Sequence, residues 1–98
     1  MNIITLDFET YFDKEYTLKK LTTEEYIRDP RFEVHGCAIK WKLGVEPIWY
    51  EGANIRLALN DAMQSHDLRD SAFLCHHAHF DGLILSHHFG VRPRGWLC

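Results

Sequence analysis

No apolar run in this 98-residue sequence approaches the length of a membrane span, so no transmembrane helix is expected. The first residues do not resemble a secretory signal, because Met1 leads directly into a strand-like stretch. Cysteine is scarce. Cys37, Cys75 and Cys98 are odd in number and lack framework spacing, which points away from a disulfide scaffold and toward a reducing, cytoplasmic setting. Strong charge imbalance is missing too. A formal net charge of -3 does not describe a general nucleic-acid sponge, although an acidic metal site is compatible with DNA binding. Linkers, internal repeats and low-complexity stretches are also lacking. What is present, 46% hydrophobic and 13% aromatic residues, suits one folded domain with a modest core.

The hydrophobic pattern predicts a buried strand over 2–8, followed by a polar loop with a helical turn over 10–21. Thr22 and Glu25 have the spacing of a capping box and open a short helix that Asp29-Pro30 ends. Phe32 to Leu43 and Ile48-Trp49-Tyr50 read as strands of a hairpin around Gly44-Val45-Glu46-Pro47. Asn54 is expected to cap a helix with apolar residues at Ile55, Leu57, Ala58, Leu59, Ala62 and Met63. Ala72 to Cys75 reads as a buried strand, and a helix from about Phe80 to Phe89 is stopped by Gly90. Trp96-Leu97-Cys98 reads as the start of an element that stays incomplete. The order predicts an α/β layer fold whose mixed central sheet is covered by helices on two faces.

Two places carry chemistry. Asp7 and Glu9 end the first strand, and residues two apart on a strand share a face. Two adjacent carboxylates on a buried strand call for compensation, which Mg²⁺ or Mn²⁺ would supply. The plain alternative is that the strand has ended and water solvates both acids. Asp81 falls in the first turn of the last helix, where the dipole favours a carboxylate. If the strand at 72–75 lies beside the first, Asp81 comes near Asp7 and Glu9. Otherwise it is an ordinary first-turn acid.

Asp7-x-Glu9, followed about seventy residues later by His77-x-x-Phe80-Asp81-x-x-Ile84-Leu85, resembles the DEDD (DnaQ-like) 3'-5' exonucleases. Leu6-Asp7-Phe8-Glu9-Thr10, Tyr26-x-x-x-Pro30-x-x-Glu33-Val34, Trp49-Tyr50 and Gly95-Trp96-Leu97-Cys98 are similar to the phage-type, family A DNA polymerase subgroup. The resemblance implies a ribonuclease H-like fold, of which residues 1–98 would be the N-terminal portion of a single domain, incomplete at the C-terminus. Two departures stand out. His77 replaces the usual Asn four residues before the second-motif Asp. After Asp81 there is no Asp, Glu or Tyr, so the family's third motif is missing.

The resemblance implies two-metal hydrolysis of phosphodiester bonds at a DNA 3' end, with Mg²⁺ or Mn²⁺ as cofactor. Asp7 would bridge the ions, Glu9 would ligate the one that activates water, and Asp81 would hold the other near the leaving oxygen. Thr10, His77 and Phe80 are the expected substrate contacts, and Phe8 flanks the acids. Core packing is the competing reading for Phe8 and Phe80, as a solvated loop is for Arg92 and Arg94. The implied partners are a single-stranded DNA 3' end and the remainder of a polymerase chain, in a bacterial cytoplasm or phage-infected cell. Without the third motif the chain is expected to be weak or inactive alone, and an open sheet edge would favour self-association or domain swapping. Two other readings compete. One is a non-catalytic ribonuclease H-like module that binds nucleic acid or protein. The other is a zinc site drawn from Cys75, His76, His77, His79, His87 and His88.

Overall fold

A computed structural model describes residues 2–64, 71–75, 77–91 and 95–97. Alternating apolar residues build β1 (Asn2–Thr10), two residues longer than expected. Thr22 and Glu25 close the capping box at 3.2 and 2.9 Å and start α1 (Thr23–Arg28), which ends before Pro30 with Asp29 extended. Arg31 then grips Asp29 through two nitrogens at 2.9 Å, holding its carboxyl down at about 2. The expected hairpin forms from β2 (Val34–Lys40) and β3 (Ile48–Tyr50).

The Asn54 cap is corrected. Helix α2 (Ala53–Gln64) begins one residue earlier, after a turn in which Gly52 takes φ +55, and Asn54 already lies inside the helix. Ile55, Leu59 and Ala62 form its buried stripe, while Leu57 and Met63 face outward. After β4 (Ser71–Leu74), α3 (Ala78–His88) starts two residues before the expected position. His77 caps it: its Nδ1 accepts the Phe80 N–H at 3.1 Å. Gly90, at φ +67, stops α3 and lets the Val91 N–H return to the Leu85 carbonyl at 3.0 Å.

Residues Gly95–Leu97 form a short fifth strand, β5, one residue earlier than the element expected to begin at Trp96. Three pairs suffice to seat it parallel to β4, and the Trp96 ring packs 5.6 Å from Phe73. The sheet order is β3-β2-β1-β4-β5, with β2 antiparallel to β1 and β4 parallel to it.

Cover on both sheet faces, expected from the apolar strands, is not found among the described residues. Ile4, Leu6 and Phe8 share one face with Cys37, Ile39 and Phe73, and all are buried. Phe89, just past α3, stacks on Phe8 at 5.7 Å, and α2 closes over Tyr50 on the same side. Helix α1 packs against α3. The other face presents Asp7 and Glu9 to solvent, with Ile3 and Thr5 half-buried. No helix among the described residues packs on it, and none is long and apolar enough to cross a membrane.

Candidate active site

Strand β1 outruns β4. Their ladder ends at Thr5 and Leu74, whereas pairing with β2 continues to Thr10. Past Thr5, the side of β1 that faced β4 has lost its strand partner. The Phe8 N–H therefore turns to a side chain, and Asp81 Oδ1 accepts it at 3.4 Å. The cap at His77 aims Asp81 there, with its own N–H bonded to the His77 carbonyl at 3.0 Å. The point is a topological switch: β1 leads to β2 on one side, and β4 leads through α3 to β5 on the other. Open α/β sheets characteristically bind ligands at such a point, beyond the strand C-termini.

Asp81 is 2% exposed, whereas Asp7 and Glu9 are exposed. Burial pushes its carboxyl up to about 6. The Phe8 N–H and nearby His77 oppose this, and the negative charge of Asp7 adds to it. Asp7 and Asp81 thus lie within electrostatic reach across the end of β1. Glu9 is on the same sheet face as Asp7, two residues further on, at a β-bulge where pairing shifts from Glu9–Gly36 to Thr10–Val34. No three His, Cys, Asp or Glu side chains among the described residues gather closely enough to enclose a metal ion.

The bulge is fastened by aromatic residues. The Tyr26 hydroxyl lies 2.8 Å from Thr10 Oγ1 and donates to the Tyr11 carbonyl. Tyr16 stacks on Tyr26 at 4.4 Å and donates its hydroxyl to the Tyr26 carbonyl; burial pushes that phenol up to about 12. Asp13 organises the loop by accepting the Glu15 and Tyr16 N–H groups, at 2.9 and 2.6 Å, and the Tyr11 hydroxyl at 2.5 Å. The loop so held carries Phe12, 72% exposed, and Leu18, 48% exposed. Together with Phe8, Glu9, Thr10 and Phe80 they line a cleft of about 280 Å³.

Of the expected substrate contacts, Thr10 and Phe80 line this cleft, and His77 stays exposed while capping α3. Phe8 is a core residue that also borders the cleft. Phe12 and Leu18 were not legible as site residues, because a loop has no periodicity to expose its contacts, and Tyr26 on α1 was not, because its contact with the bulge is long-range. Arg92, Arg94, His76 and Cys98 lie outside the described residues. His88 stacks on Phe32 at 4.4 Å with Nε2 3.0 Å from the Ile27 carbonyl, and His87 packs edge-on against it at 4.7 Å. Two larger clefts of about 530 Å³, one beside Trp96 and one beside Trp41, contain none of the three acids. No protein-family model and no curated protein matches the chain.

Proposed function

We propose that this chain is the N-terminal portion of a metal-dependent 3'-5' exonuclease domain of the proofreading type, acting on single-stranded DNA ends. The observation that carries this reading is the approach of Asp81 to Asp7 at the end of β1, beside a cleft lined by aromatic side chains. The order β3-β2-β1-β4-β5 with an antiparallel β2 supports a ribonuclease H-like fold. Asp7, Glu9 and Asp81 offer only carboxylate oxygens, the donors that Mg²⁺ and Mn²⁺ prefer. The fit is favourable, because a cation would offset both the burial of Asp81 and the charge of Asp7 that oppose its ionisation.

When bound, such ions neutralise charge on the attacking and leaving oxygens of a phosphodiester. The chain's own residues do the positioning. Asp81, held between the His77 cap and the Phe8 N–H, cannot swing away from β1 without losing that hydrogen bond. The Tyr26–Thr10 bond keeps the bulge rigid, so Glu9 and the Thr10 backbone stay at the cleft mouth. Phe12, Leu18 and Phe80 present apolar surface to a terminal base, a contact that does not depend on sequence. Residues 82–98 contain no Asp, Glu or Tyr, so slow cleavage is expected from this chain alone, with the rest of a polymerase supplying the remaining groups.

The test is degradation of a 3'-labelled single-stranded DNA with Mn²⁺. Slow, metal-dependent shortening that disappears in Asp7→Ala and Asp81→Ala supports the reading. Cleavage unchanged in both variants, or no cleavage together with no Mn²⁺-induced rise in melting temperature, overturns it.

A further inference from the structure

Trp49 has an unusual seat. It pairs with Ala38, which pairs with Asp7, so the indole rises from the same helix-free face as the carboxylates. It reaches diagonally over Gly36, the residue paired with Glu9. A Cβ built on Gly36 would stand 2.0 Å from Trp49 Cζ2 and 2.5 and 2.6 Å from that atom's two ring neighbours. Approach from the ring edge would leave those neighbours markedly further away. The indole therefore lies flat on the β2 backbone, and only glycine at position 36 leaves room for it. Nε1 is tethered to Glu51 Oε1 at 2.7 Å, which fixes the ring in its plane. Yet Trp49 remains 48% exposed. One ring face is spent on backbone, and the other has no partner among the described ring contacts.

Covering a strand glycine with an aromatic ring is a known stabilising device, but it does not require so large a ring left open on its outer side. Two strand spacings, about 10 Å, separate Trp49 from Asp7, and the ring leans toward Glu9. That is the reach of a strand whose 3' end lies at the acids and whose preceding nucleotides cross β2. Lys40, on the same face two residues along β2 from Ala38 and paired with Thr5, supplies a cation for the backbone.

We propose that the outer face of the Trp49 indole is a stacking site for an unpaired nucleobase upstream of the scissile end. The proposal rests on the nuclease reading for the direction of the strand, but stacking itself needs neither metal nor cleavage. It is tested in EDTA, where no hydrolysis occurs, by anisotropy of a fluorescein-labelled oligothymidylate and of an abasic strand of equal length. The wild-type protein should bind the base-bearing strand at least about fivefold more tightly than the abasic one. Trp49→Leu, which still covers Gly36, should lose that preference, Trp49→Phe should keep most of it, and Asp7→Ala should keep all of it. Thermal melts confirm that the variants are folded. Equal binding of both strands by the wild type, no binding of either, or an undiminished preference in Trp49→Leu overturns the proposal. None of these results bears on the cleavage assay, so the nuclease reading stands or falls separately.

Discussion

Asp81 is where a single residue governs pH behaviour. Its carboxyl is raised from an ordinary 3.8 to about 6, so ionisation costs more in the folded protein than in the unfolded chain. The stability contribution is therefore complete below about pH 4, is lost as pH rises toward 6, and stays lost above that. The difference amounts to no more than about 3 kcal/mol. Asp81→Asn keeps the shape and a carbonyl oxygen for the Phe8 N–H without the charge. In EDTA at pH 8 the variant should be more stable than the wild type toward urea, and the advantage should vanish near pH 4. An advantage of equal size at both pH values would show that ionisation of Asp81 is not its source.

At the scale of elements, the site depends on α1 and the loop over 11–21 as much as on β1. Tyr26 joins them, since its ring stacks under Tyr16 and its hydroxyl bridges Thr10 and Tyr11. Tyr26→Phe keeps the stack and removes the bridge, leaving the half-buried Tyr11 carbonyl short of a donor. Loss of about 1–2 kcal/mol is expected in urea unfolding, with cleavage falling further than stability alone explains, because Glu9 is no longer held. How the site could be read from sequence differs by element. Asp7 and Glu9 were legible because strand periodicity is local, and the α1 start was legible because a capping box needs only four residues. The Asn54 cap misled because the competing Glu51-Gly52 turn depends on a positive φ that residue identity merely permits. Tyr26, Phe12 and Leu18 stayed invisible because their roles come from a loop folded onto another element.

For the molecule as a whole, the sheet order decides what the acids can do together. Parallel pairing of β1 with β4 brings α3 and Asp81 to the end of β1, and the shorter β4 leaves the Phe8 N–H for it. If the carboxylates form one cation site, Mn²⁺ should raise the melting temperature at pH 8 in the wild type. The rise should be smaller in Asp7→Ala and weak near pH 4.5, where Asp81 is largely protonated. A rise of the same size in Asp7→Ala would place the ion elsewhere. The two larger clefts and the scattered histidines offer no rival gathering of acids among the described residues.

The sequence by itself determined the succession of elements, the shared face of Asp7 and Glu9, and the first-turn position of Asp81. Each follows from periodicity, capping or turn chemistry acting over a few residues. Tertiary structure alone decided that the described helices gather on one face, that Asp81 is buried against β1, that Tyr26 pins the bulge and that Trp49 lies on Gly36. These depend on strand order and on contacts between residues far apart in the chain. Such contacts are set by how the elements bury their apolar faces together, not by any local pattern.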